Sequence, residues 1–121
     1  MKSLRVLLIE DEANVANLLS EVLVDMGHDV CAVEDCEIAA VRTAKRCRPD
    51  LMIVDNALRE GSGVGAVEKI LRARFVPHVF VSGDTLGILA RRPDAVVIRK
   101  PFFLGDLQRA IRSVIATPVM P

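Results

Sequence analysis

Four short stretches carry side chains able to do chemistry together: Glu10-Asp11-Glu12, Asp55, Ser82 and Lys100. Each follows a short apolar run, so each falls where a strand would end. If those strands lie side by side, three or four carboxylates, one hydroxyl and one ammonium converge in one crevice. Converging carboxylates repel, which raises their pKa values and destabilises the fold unless something neutralises them. A hard divalent cation does so. Mg²⁺ takes oxygen ligands, keeps several waters, and binds through one or two carboxylates plus a phosphate. Lys100 is a point charge suited to a phosphate oxygen, and Ser82 can donate one hydrogen bond to the same group. Asp55 then has a metal beside it, an ammonium opposite and no general base. A carboxylate needs no base to act as a nucleophile. The chemistry indicated is an acyl phosphate on Asp55, with catalysis by positioning and charge neutralisation.

The elements that must position these groups alternate along the chain. Residues 4–9 read as a strand buried on both faces. Val15, Leu18, Leu19, Val22, Leu23 and Met26 then recur at three- and four-residue steps, one apolar helix stripe that Gly27 stops. Residues 29–33 alternate polar and apolar, as an edge strand does. An Ala-rich helix over 38–46 follows, and Pro49 ends that region. Residues 51–54 form a second fully apolar strand. A glycine loop at 61–65 leads into a helix over 64–73, then a strand over 78–81. A short, weak helix over 85–92 and a strand over 95–98 come next. The last helix is predicted over 103–116, with Leu104, Leu107, Ile111, Val114 and Ile115 on one face. Five β-α units imply an α/β fold, a three-layer doubly wound five-stranded parallel sheet. Placing the more polar second strand at an edge gives the order 2-1-3-4-5. The first and third strands then meet at the switch point, where ligands bind beyond the strands' carboxyl ends.

Composition sets the outer bounds. A length of 121 residues is one domain, expected over 1–121 with its core at about 4–116 and a frayed tail over 117–121. Apolar residues make up 51% but aromatics only 3%, with no Trp and no Tyr, so the core must be aliphatic. Sixteen basic and sixteen acidic residues cancel, which argues against nucleic-acid binding and against disorder. Three cysteines without a C-x-x-C read as reduced thiols rather than a disulfide framework or zinc site. No run is long enough to span a membrane, and no signal peptide is evident. A cytoplasmic location is expected.

The motif set resembles the receiver domain of bacterial two-component response regulators, over residues 4 to about 116. Its carriers are Glu10-Asp11, Asp55, Gly63 eight residues later, Ser82-Gly83 and Lys100-Pro101-Phe102, each in order at a strand end. The resemblance implies that Asp55 is the phosphoacceptor. It implies that Asp11 binds Mg²⁺ directly, Glu10 through water, and that the Ala57 carbonyl supplies a further ligand beside Asp55. Ser82 would hydrogen-bond the phosphoryl group and Lys100 would bridge it. The Lys100-Pro101 bond is commonly cis in that family, an isomer proline makes accessible, and it would fix where Lys100 points. The implied partners are a sensor histidine kinase or histidine phosphotransfer protein and a downstream protein target. About five residues remain after the last helix, so a stand-alone receiver signalling by protein contact or onward phosphotransfer is expected.

The chain departs from the family pattern in four places. Val97 occupies the switch position where an aromatic is usual, so the familiar coupling of Ser82 to a turning aromatic cannot run in that form. Eighteen positions separate Ser82 from Lys100, which shortens the fourth helix, and Gly87 weakens it further. Arg59 stands where proline is common. Twenty-seven positions separate Asp55 from Ser82, so the third helix or its exit loop is trimmed.

Two other functions fit parts of the pattern. One is a degenerate receiver acting as a phosphorylation-independent binding module. The other is an aspartate-nucleophile phosphohydrolase, which wants a second acid two residues after Asp55, where Ala57 stands. Blander roles are assigned to several residues. One acid of Glu10 to Glu12 serves the first helix's dipole. Asp84 caps the fourth helix. The Gly61-x-Gly63-x-Gly65 run is a turn and helix entry, not a dinucleotide fingerprint. His28 lies in the turn after the first helix and His78 opens a strand, so neither is catalytic.

Overall fold

The computed structural model describes residues 2–115. The expected tail over 117–121 and the predicted last residue of the final helix lie outside them. Ten elements alternate strictly: β1 (Arg5–Ile9), α1 (Ala13–Asp25), β2 (Asp29–Glu34), α2 (Glu37–Cys47), β3 (Leu51–Val54), α3 (Gly63–Ala73), β4 (His78–Ser82), α4 (Thr85–Arg91), β5 (Val97–Arg99) and α5 (Leu104–Ile115). The sheet order is β2-β1-β3-β4-β5, all pairs parallel. The switch point therefore falls between β1 and β3, whose register matches Val6 with Leu51 and Ile9 with Val54.

Strand alternation splits the core into two layers. Leu8, Ile53 and Val81 face α1 and α5, where Leu19, Leu23, Leu107 and Ile111 close the layer. Leu7, Met52, Val54 and Phe80 face the other way, against Val67, Ile70 and Ile88. The core is aliphatic, with Phe80 its one fully buried aromatic among the described residues. Two residues of the predicted stripes fall outside it. Leu18 is 54% and Leu104 50% exposed. Leu18 flanks the line of Leu19 and Leu23 that meets the sheet. Leu104 stands in the first turn of α5, just beyond the three-residue β5.

Local signals explain most ends. Gly27, at φ 94°, ends α1 in a Schellman turn, its N–H donating to the Val24 carbonyl and that of His28 to Leu23. His28 is buried there, its Nδ1 accepting from the Leu4 N–H at 3.1 Å. The Ser62 hydroxyl accepts from the Gly65 N–H and caps α3, which begins one residue earlier than predicted. β5 is shifted to Val97–Arg99, and Ser82 is the last residue of β4 rather than the first beyond it. α3 keeps eleven residues, with a four-residue link to β4.

α4 forms but is short, seven residues with Gly87 inside it. Its N-cap is Asp84, whose Oδ1 accepts from the Gly87 N–H at 3.0 Å. Removing that bond in Asp84→Ala is expected to cost about 1 kcal/mol. The seven-residue helix is otherwise held chiefly by Ile88 in the core and by the Arg91–Glu68 pair, so the loss should appear as faster amide exchange confined to α4. Unchanged protection of the α4 amides would refute this role for the cap.

Candidate functional site

The crevice is assembled at the carboxyl ends of β1, β3, β4 and β5. Asp55 follows four buried strand residues, and its N–H donates to the Ile9 carbonyl at 2.8 Å, continuing the β1–β3 ladder one step beyond β3. Glu10 is fixed the same way on the other side of β1, donating to the Glu34 carbonyl. Both carboxylates are consequently buried, Glu10 at 3% and Asp55 at 5% exposure, while Asp11 is exposed. Ligand oxygens of Glu10, Asp11 and Asp55 all lie within 4.8 Å of one another. The three carboxylates are thus close enough together that they could hold one hard divalent cation.

Lys100 enters from β5. Its backbone N–H donates to the Ser82 carbonyl, and the Lys100-Pro101 bond is cis. Its Nζ lies 3.1 Å from Glu10 Oε1, 3.2 Å from Asp55 Oδ2 and 3.7 Å from Glu12 Oε1. Glu12 is thus drawn to the lysine. It sits at the N-cap of α1 but makes no side-chain cap bond, and the first turn of α1 holds no acid. The expected helix-dipole role falls to none of the three acids as a capping contact. Asp55 Oδ1 accepts from the Ala57 N–H at 3.3 Å. The Ser82 hydroxyl accepts from the Asp84 N–H at 3.0 Å, which ties the end of β4 to the entry of α4.

Three carboxylates thus approach one ammonium, and Asp11 adds a fourth to the crevice. Burial pushes the Glu10 carboxyl up to about 7. Neighbouring Asp55 adds to the rise through a hydrogen bond and its charge, and the bonds from the Glu12 N–H and Lys100 offset it only in part. Burial alone would depress the Lys100 ammonium, but its bonds to Glu10 and Asp55 prevail and hold it above the ordinary lysine range. The crevice holds more negative charge than Lys100 alone balances, and its carboxylates are of the kind that could hold a divalent cation.

The loop carrying Ala57 is braced by Arg59, at the position where proline is common, and by Asp35, Glu37 and Lys69, for which no local pattern gives a role. The Arg59 guanidinium makes two 3.1 Å bonds to the Asp35 carboxylate. Glu37 Oε1 accepts from the Ser62 N–H at 2.9 Å, and its Oε2 lies 2.7 Å from Lys69 Nζ. Arg59 therefore holds by an ion pair a loop that proline would stiffen by its ring. A legible signal for Glu37 was the spacing of Gly61 and Gly65. A Cβ at either position would meet the Glu37 side chain, so both glycines make room for it. Val97 pairs with Phe80 in the β4–β5 register and is half-buried against the layer of Phe80 and Ile88.

The fold is a doubly wound α/β domain with a buried acidic pair and a lysine at its switch point. The chain belongs to the response regulator receiver domain family, whose model matches residues 6–112. It is a receiver domain of two-component systems, and receiver domains are in general regulators rather than enzymes. It is 36% identical over 110 residues to the phyllosphere-induced regulator PhyR of Methylorubrum extorquens, covering 88% of this chain and 41% of that protein. The solution structure of the Erythrobacter litoralis PhyR receiver domain superposes with a TM-score of 0.90 at 27% identity, covering 100% of this chain and 96% of that one. The receiver domain of the Pseudomonas aeruginosa sensor histidine kinase PA1611, solved with a magnesium ion in its active-site cleft, superposes with a TM-score of 0.82. It is 26% identical and covers 96% of this chain and 100% of that one. The chain spans about half the length of the curated relatives it matches. Among the described residues no helix is long and apolar enough to cross a membrane.

Proposed function

We propose that Asp55 accepts a phosphoryl group from the phosphohistidine of a sensor histidine kinase or histidine phosphotransfer protein. An Asp55 carboxylate oxygen attacks phosphorus, the P–O bond forms as the P–N bond breaks, and the imidazole nitrogen leaves and takes up a proton. Mg²⁺ held by Glu10, Asp11, Asp55 and the Ala57 carbonyl would neutralise the phosphoryl oxygens. Lys100 contributes the second positive charge, and the Ser82 hydroxyl one hydrogen bond. The carrying observation is the buried Asp55, 3.2 Å from Lys100 Nζ and clustered with Glu10 and Asp11. Turnover is limited to gain and loss of its own phosphoryl group, in the reducing cytoplasm where Cys31, Cys36 and Cys47 stay free. Signal leaves as altered contact with a downstream protein target or as onward phosphotransfer. Ser82 and Val97 are the switch positions, because Ser82 links the crevice to both α4 and β5.

A phosphorylation-independent binding module is the second reading, favoured by Val97 at the switch position and the seven-residue α4. One experiment separates the two. With Mg²⁺ and acetyl phosphate, the intact wild-type chain should gain the mass of one phosphoryl group, and Asp55→Asn should gain none. An adduct that persists in Asp55→Asn would move the site elsewhere. A wild type that binds Mg²⁺ yet forms no adduct, with this donor or a phosphorylated histidine phosphotransfer protein, would favour the second reading.

A further inference from the structure

At the end of the sheet opposite the crevice, α2 and α3 leave a groove of about 310 Å³ between them. Its floor is apolar, with Val41, Ile70 and Val76 at its base. Every polar side chain that lines it is cationic: Lys45, Arg48, Lys69 and Arg74. Lys69 is engaged by Glu37, and Arg74 donates to the Pro49 carbonyl at 2.7 Å. The side chains of Lys45 and Arg48 have no hydrogen-bond or ion-pair partner among the described residues. In a chain of zero net charge this is a local positive field over an apolar surface.

Cations in a last helical turn favour the helix dipole, which accounts for Lys45 and Arg46 in α2. Arg48 and Arg74, the C-cap residues of α2 and α3, share that field, but it does not account for the open apolar floor beneath four converging cations. Arg48 has φ 49° and ψ 64°, the left-handed region that Gly and Asn adopt most easily. Pro49 follows it and disfavours anything but extended backbone before the ring. Asparagine would adopt that backbone with less strain, so arginine is set there against its own conformational preference.

Charge complementarity identifies the occupant as an anion with an apolar anchor. No hydroxyl or amide side chain lines the groove to orient a small ligand, and its polar groups are four long cationic side chains. An apolar centre with an arginine-rich polar rim is the anatomy of a protein interface. We propose that the α2–α3 groove docks an acidic segment of a partner protein that inserts one aliphatic or aromatic side chain. The groove lies far from Asp55 along the sheet, so docking does not require the crevice to be phosphorylated.

Amide shifts of the unphosphorylated chain, titrated with a capped peptide of sequence DEDLFEDE, test this. Saturable shifts confined to residues 41–48 and 69–76 are expected. Lys45→Glu with Arg48→Glu should weaken binding at least tenfold, on the order found for close interfacial charges. Replacing the Leu-Phe pair by Ala-Ala, or every acid by lysine, should abolish saturation. Arg48→Asn gives the sharper contrast: melting at or above the wild-type temperature, with binding weakened several-fold. Equal binding of the Ala-Ala peptide would reduce the patch to diffuse charge attraction and overturn the proposal. So would the absence of shifts at millimolar peptide, or capture of phosphatidylserine vesicles by this face without any peptide response. Octanoate that saturates the groove and is not displaced by the peptide would reassign it to a small amphiphile and overturn it equally.

Discussion

Gly63→Ala should destabilise the domain by about 3 kcal/mol, although a glycine-to-alanine change inside a helix ordinarily gains roughly 1 kcal/mol. Gly63 is the first residue of α3 and is buried against the end of β3. A Cβ there would fall onto the Asp55 carbonyl oxygen, 2.7 Å from Val54 Cγ1 and 2.9 Å from the Asp55 carbonyl carbon. Two of these three atoms are backbone of the residue proposed to accept phosphate, and that backbone is pinned by the Asp55 N–H bond to Ile9. Nothing at the contact is the free end of a flexible side chain, so relief requires α3 or the end of β3 to move. The cost should therefore appear twice, as a lower urea midpoint and as slower phosphorylation by acetyl phosphate. Gly65→Ala is the control. Its Cβ would meet only the Glu37 carboxyl, 2.6–2.9 Å away, which can swing aside. A Gly63→Ala denaturation curve superimposable on that of Gly65→Ala would refute the account.

Most of this positioning is legible in the sequence because it depends on strand ends. Period and burial identify Leu51–Val54 as a strand sealed on both faces, and Asp55 then has only one place to be. The more polar β2 goes to an edge for the same reason, which fixes the sheet order and the switch point. The α4 cap was legible as well, since Asp84 accepts from the Gly87 N–H; the 61–65 run read as a helix entry, and within it Ser62 caps α3. What escaped was set by tertiary geometry. Leu18 has the right residue type and spacing for the stripe, but the helix turns Leu19 and Leu23 to the core and leaves Leu18 exposed. Glu12 looks like a helix-dipole acid until Lys100, eighty-eight residues later in the chain, arrives close by. Glu37, Asp35 and Arg59 brace the Ala57 loop through pairs 24 and 25 positions apart, a separation that local pattern does not register. The basic groove was hidden by cancellation, since a net charge of zero says nothing about where the charges lie.

Lys100→Met should make the stability of the metal-free domain strongly dependent on pH. The lysine is the one ammonium close to Glu10 and Asp55, and breaking a buried pair by removing one partner costs about 3 kcal/mol or more. That cost requires the carboxylates to be charged, so it should be large at pH 8 and much smaller at pH 5, where Glu10 holds its proton. The wild type already leans the same way. With Glu10 raised from an ordinary 4.5 to about 7, the folded chain binds more protons than the unfolded one between those values. Stability from this group is complete below about pH 4.5 and is lost as pH rises through 7. The raised Lys100 acts in the same direction but only above the ordinary lysine range, outside this window. Mg²⁺ bound as proposed would reverse the trend, because it would take the place of the Glu10 proton. Its apparent affinity should climb by up to about tenfold per pH unit toward pH 7 and then level off. Thermal melts with and without Mg²⁺ at pH 5.5 and 8 check both halves. Mg²⁺ should raise the melting temperature more at pH 8, and more in Lys100→Met than in wild type, since the metal then meets carboxylates with no other counter-charge. A larger Mg²⁺ effect at pH 5.5, or a Lys100→Met loss independent of pH, would mean that charge repulsion among Glu10, Asp11 and Asp55 is not what the lysine and the metal relieve.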